Sequence, residues 1–164
     1  MLSLQPPTIN LFSNSLFTKL ENADIKFGVT DYPIRTSTKL TFFKNDTIIG
    51  SCSGMMVSNN MVLTSAHALY QYNHQTWNFD YILASPAYNY GTTQPAIISS
   101  MSSKVYIFKT FYNKTKFDDI ALLQLSEPIG AQIGYTGIAF SADTSYFTNK
   151  VFHKFSYPSV TSPL

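Results

Sequence analysis

The hydrophobic pattern divides the chain near Asp31. Residues 1–27 mix polar turn formers with apolar residues and show no clear period, which predicts an arm lying on the surface. Beyond Asp31, Tyr32-Pro33-Ile34 leads into Thr38-Lys39-Leu40-Thr41-Phe42-Phe43, a run rich in β-formers. Lys44-Asn45-Asp46-Thr47 reads as a turn, and Ile48-Ile49-Gly50-Ser51-Cys52 as the returning strand. Met55-Met56-Val57, Ser58-Asn59-Asn60 and Met61-Val62-Leu63-Thr64 predict a second tight hairpin. Ser65–Tyr70 fits one helical turn.

Further strands are predicted at Asp80–Ala84 and Lys104–Phe108. Ile120-Ala121-Leu122-Leu123-Gln124-Leu125 is nearly continuous in apolar residues, which suits a strand buried on both faces. Residues 126–149 lack periodicity and read as a connector. Lys150–Phe155 opens a new strand, ended by Tyr157-Pro158. Short strands with turn signals about every ten residues, and almost no amphipathic helix, predict an all-β sandwich or barrel.

Composition narrows this picture. The chain has 164 residues, 45% of them hydrophobic and 15% aromatic, enough for a packed core. Only 12% are charged and the net charge is +2, too small and scattered for a nucleic-acid surface. No apolar run approaches the roughly 18 residues that span a membrane. The first residues, Met1-Leu2-Ser3-Leu4-Gln5-Pro6-Pro7, lack the basic and apolar blocks of a signal peptide. The single cysteine, Cys52, excludes an intrachain disulfide and a multi-cysteine zinc site, and the three histidines lack metal-binding spacing. No metal or organic cofactor is expected.

Two stretches carry candidate chemistry. One is Cys52-Ser53-Gly54, continuing through Val62-Leu63-Thr64-Ser65-Ala66-His67; the other is Phe117-Asp118-Asp119-Ile120-Ala121-Leu122-Leu123. Together they resemble the two N-terminal signatures of trypsin-like serine proteases, in which a C-[GS]-G strand leads to L-T-A-A-H and a later D-I-A-L-L strand starts at an aspartate. The resemblance implies that His67 is the general base and Asp119 its orienting carboxylate. A strand alternates its side chains, so only one of two adjacent aspartates can face the histidine. The family pattern selects Asp119 and leaves Asp118 as a solvated neighbour. Tyr32-Pro33, Cys-Ser-Gly, Leu83–Asn89, Gly134-Tyr135-Thr136-Gly137 and Ser156-Tyr157-Pro158 look like the glutamyl-endopeptidase-like bacterial branch.

The chemistry has its own physical basis. A serine hydroxyl is a poor nucleophile unless a base removes its proton, and imidazole titrates near neutrality. A carboxylate on the other ring nitrogen fixes the tautomer and stabilises the imidazolium. In a barrel, strand ends distant in sequence can share one rim.

The resemblance therefore implies an all-β fold: a trypsin-like N-terminal six-stranded β-barrel plus the first strand of a second barrel. It divides the chain into an arm (1–27), the first barrel (28–125), an inter-barrel connector (126–149) and the start of the second barrel (150–164). The family's G-D-S-G-G nucleophile loop does not occur in these 164 residues. Two-barrel enzymes of this kind run to about 200–250 residues. The expectation is thus an N-terminal fragment of a secreted, monomeric serine endopeptidase acting on polypeptides, and inactive alone. The alternatives are a non-catalytic protease-fold binding module and an unrelated β-sandwich with accidental matches.

Some features read otherwise. Many trypsin relatives carry a cysteine after the histidine; Ala68 stands there, so Cys52 is expected as a buried free thiol. Gly50-Ser51-Cys52-Ser53-Gly54 fits a nucleophile-elbow pattern, but that motif needs a helix after it and a hairpin is expected instead. His74 and His153 are given no role. Asn45-Asp46-Thr47 and Asn113-Lys114-Thr115 match the N-glycosylation pattern, taken as coincidence beside a bacterial-looking relative.

Overall fold

A computed structural model of the chain describes residue 28 and residues 30–71, 76–77, 79–88, 98–113, 118–148 and 154–157. The expected arm, His74, His153, and Lys114-Thr115 of the second glycosylation pattern lie outside the described residues. The strands are β1 (Ser37–Lys44), β2 (Thr47–Ser58), β3 (Met61–Thr64), β4 (Tyr70–Gln71), β5 (Thr76–Trp77), β6 (Tyr81–Pro86), β7 (Ser100–Ile107) and β8 (Ala121–Leu125). Six of them close a barrel in the order β1-β2-β3-β8-β7-β6, while β4 and β5 form a separate two-stranded ladder. Every neighbouring pair in the barrel is antiparallel.

Local chemistry sets the turns. The β1–β2 reversal uses Asn45 and Asp46 at φ 48° and 57°. Both angles are positive, as a two-residue hairpin turn with the right strand twist demands, and Asn and Asp tolerate them best among residues with a Cβ. Asp80 and Tyr81 pin the turn from outside. The Asn45 N–H donates to Asp80 Oδ2 at 2.7 Å, and the Tyr81 hydroxyl to Asp46 Oδ1 at 3.2 Å.

Strand alternation then fills the interior. Leu40 and Phe42 on β1, Met56 on β2, Val62 on β3, Ile82 and Ala84 on β6, and Ala121, Leu123 and Leu125 on β8 are all buried in one cluster. A six-stranded barrel is narrow enough for such side chains to occupy it fully. The apolar run on β8 is not buried on both faces. It alternates instead: Leu122 and Gln124 are only half-buried, because the barrel has one packed side. Polar groups at the barrel's entrance are satisfied locally. Thr36 Oγ1 donates to the Pro33 carbonyl at 2.7 Å and Thr38 Oγ1 to that of Thr36 at 3.1 Å.

Residues after β8 do not simply wander. Glu127–Ile133 folds back under the β2–β3 hairpin, with a helical turn at Gly130–Ile133 that sends Ile129 and Ile133 into the core. The Gly130 N–H donates to the Asn59 carbonyl at 2.7 Å, and the Thr136 N–H to that of Met56 at 2.9 Å. At the end of the described chain the Tyr157 N–H donates to Ser53 Oγ at 2.7 Å. Burial pushes the Tyr157 phenol up to about 12, only partly offset by a hydrogen bond from the Tyr88 backbone. Of the strand expected over Lys150–Phe155, residues 150–153 lie outside the described residues, and Lys154 and Phe155 form no strand.

The close approach at Gly130 generates a test. A Cβ there would fall 2.8 Å from the Asn59 carbonyl oxygen and closer still to that of Ser58, both backbone atoms that cannot swing aside. Gly137 has nothing within 4 Å of its own Cβ position. Gly130→Ala should therefore cost about 1–3 kcal/mol in urea unfolding, and Gly137→Ala less than about 0.5 kcal/mol. Equal effects at the two positions would refute the packing assigned to this turn.

Candidate active site

The register of one strand pair assembles the site. β3 and β8 run antiparallel, with Thr64 opposite Ala121. The end of β3 therefore lies beside the start of β8. His67 follows three residues after the first position and Asp119 precedes the second by two, so 52 residues of sequence separation collapse to a contact.

Each side chain has a fixed base. His67 sits in a single 3-10 turn, Ala66–Ala68, held down by the fully buried Ala66 and by Leu69 at 2% exposure. Thr64, just before the turn, donates through Oγ1 to the Ser53 carbonyl at 2.8 Å and ties the end of β3 to β2. Asp119 meets His67 twice. Its Oδ1 accepts the His67 backbone N–H at 2.8 Å, and its Oδ2 lies 2.6 Å from His67 Nδ1. The imidazole itself is 66% exposed and the carboxylate 37%.

Electrostatics agree with that geometry. Partial burial of Asp119 acts to raise its pKa. The hydrogen bonds from the His67 ring and backbone, the charge of His67 and a backbone bond from Ala66 outweigh it and hold the carboxyl below its usual range. An ionised carboxylate only accepts hydrogen bonds, so the proton in the 2.6 Å contact belongs to Nδ1. In the neutral form of the ring that leaves Nε2 as the basic nitrogen. The pair can accept one proton from a neighbouring hydroxyl and return it to a leaving group.

Asp118 is exposed, but strand alternation is not what turns it from His67: the strand begins only at Ala121, and Asp118 adopts φ 63° in the left-handed region. Its Oδ2 accepts from Thr110 Oγ1 at 2.6 Å. Thr110 lies on a helical turn, Lys109–Tyr112, that the hydrophobic pattern does not announce. The residue preference for that backbone angle was visible in sequence; its partner eight residues upstream was not.

The remaining candidates resolve simply. Cys52 lies inside β2, opposite Leu40, so Gly50–Gly54 is strand rather than a strand-to-helix elbow. The thiol is free but only half-buried, packed against the core rather than within it; that burial pushes its pKa up against the weaker opposing effect of Thr64, whose Oγ1 lies 3.7 Å from Sγ. Among the described residues, no cluster of three or more His, Cys, Asp or Glu side chains could hold a metal ion. No helix among them is long and apolar enough to cross a membrane.

The trypsin family model matches residues 30–150. Glutamyl endopeptidase of Bacillus licheniformis is 28% identical over 118 residues, which cover 71% of this chain and 34% of that protein. Among solved structures, a Glu endopeptidase in complex with MPD superposes with a TM-score of 0.63 at 20% identity, over 71% of this chain and 51% of the other. The protease Anisep from Arthrobacter nicotinovorans gives 0.55 at 20% identity, over 69% and 53%. The chain thus spans about a third of its curated relative and about half of each solved one. The family match over the whole described barrel, together with the six-stranded closure, shows that the chain belongs to the trypsin-like serine proteases.

Proposed function

We propose that this chain supplies the general base and its orienting carboxylate to a serine endopeptidase whose nucleophile lies on a further segment. The observation that supports this most is the double hydrogen bond of Asp119 to the backbone and ring of His67. An ordinary surface ion pair needs only one contact. Gripping both the backbone and the ring restrains the imidazole in position and in tautomer, which is what proton transfer to Nε2 requires.

In the proposed reaction a serine hydroxyl gives its proton to His67 Nε2 as its oxygen attacks the peptide carbonyl. The imidazolium, stabilised by Asp119, then protonates the departing amine and leaves an acyl-enzyme. Water repeats the cycle in reverse, with His67 again as base, and frees the acid. The nucleophile, the donors for the oxyanion and the substrate pocket are assigned to the segment that the longer relatives possess beyond the matched region. Polypeptides are the substrate class. The name of the relatives makes cleavage after glutamate the first specificity to assay, and resemblance to the same branch points to action outside the cell.

The test is hydrolysis of a glutamate-containing peptide by the product of the coding sequence read through past Leu164. We expect turnover that falls on the order of 10^6-fold in His67→Ala and about 10^4-fold in Asp119→Asn, with none from residues 1–164 alone. A read-through product that binds peptides without cutting them would support a non-catalytic module instead.

The depressed Asp119 carboxyl also makes a stability prediction. A group whose folded pKa lies below its unfolded value stabilises above the unfolded value, about 3.9 for Asp, and loses that contribution as pH falls through the folded value. Asp119→Asn should therefore lower the melting temperature of this chain near pH about 6, and the gap should close toward pH about 2. A gap independent of pH would contradict the ionised pair.

A further inference from the structure

We propose that Thr110 and Asp118 are positioning residues that set the direction of the Asp119 carboxylate. The inference rests on the role proposed above for the His67–Asp119 pair and extends it to residues outside that pair. Three observations carry it. Asp118 holds φ 63°, a left-handed backbone that few side-chain-bearing residues adopt and that persists when surroundings impose it. The Ile120 N–H donates to the Asp118 carbonyl at 2.7 Å, closing a three-residue turn with Asp119 at its centre. The Asp118 side chain is then fixed from outside by Thr110 Oγ1 at 2.6 Å.

These elements form a chain of constraint. Phe111, next to Thr110, is 2% exposed and anchored in the barrel core. The Tyr112 and Asn113 N–H groups, bonded to the Phe108 and Lys109 carbonyls at 3.0 and 2.9 Å, close the helical turn around it. The Thr110 hydroxyl is therefore borne by a rigid body, and through Asp118 it holds the backbone one residue before Asp119. Asp119 must offer Oδ1 to a backbone N–H and Oδ2 to Nδ1 at once. Both bonds are directional, so a small rotation of the 118–119 peptide loses one or both. A simple strand entry would leave that rotation free. The reversal centred on Asp119, locked at Asp118, does not.

The experiment reads the pair directly in the 164-residue chain, by the rate at which the His67 Nδ1 proton exchanges with water in NMR. Thr110→Val keeps the shape and removes the hydroxyl, and exchange should accelerate about tenfold, the equivalent of one net hydrogen bond. Thr110→Ser and Asp118→Asn keep a donor or an acceptor in place and should stay near the wild-type rate. Asp118→Gly relieves the left-handed backbone while deleting the acceptor, so it keeps the fold and should still accelerate exchange. A merely structural role would move the melting temperature without this pattern of rescue. Wild-type exchange rates in both Thr110→Val and Asp118→Gly would overturn the proposal. That result is separable from failure of the protease reading, which would appear as an inactive read-through product with the exchange pattern intact.

Discussion

The antiparallel ladder between β3 and β8 is the constraint on which this molecule turns. Strand pairing sets neighbouring backbones about 4.8 Å apart, and the register that matches Thr64 with Ala121 decides what stands at the rim beyond them. A slip of one residue would turn Val62 and Leu123 out of the core and separate His67 from Asp119 together. Packing and site geometry are thus one condition. The hydrophobic alternation that fills the barrel also protects the register against a one-residue slip, which would expose the same side chains.

From that rim outward the structure spends its polar interactions on orientation. Thr64 ties the base of the histidine turn to β2, the Asp119 carboxylate grips both the backbone and the ring of His67, and Asp118 is bound to Thr110. Each bond is exposed or half-buried and adds little to stability by itself. Their joint effect is to restrict the imidazole. The core below, from Leu40 to Ile133, supplies the rigidity that makes such restriction possible.

Much of this was legible in the residues. β1 follows from its β-forming residues, the β2–β3 hairpin from its turn chemistry and β8 from its apolar run, and Asn45-Asp46 takes the positive φ angles its residue types suggest. Leu-Thr-Ser-Ala-His and Asp-Ile-Ala-Leu-Leu pointed to two residues that the fold brings within 2.6 Å. What stayed hidden are segments of two to four residues whose structure comes from contacts far along the chain. The turns at Lys109–Tyr112 and Gly130–Ile133 are too short to form by propensity. They exist because Phe111, Ile129 and Ile133 insert into the core. The left-handed Asp118 escaped for a related reason: alternation assumes a strand, but β8 begins only at Ala121, and Asp118 is bound instead to Thr110.

The central claim is that the barrel presents an imidazole with its proton held on Nδ1 and Nε2 left basic. Nitrogen-15 NMR of the uncharged His67 ring distinguishes the two tautomers directly. The account predicts a protonated Nδ1, coupled to a carboxylate, and an unprotonated Nε2. A ring protonated at Nε2, with Nδ1 bare, would contradict it.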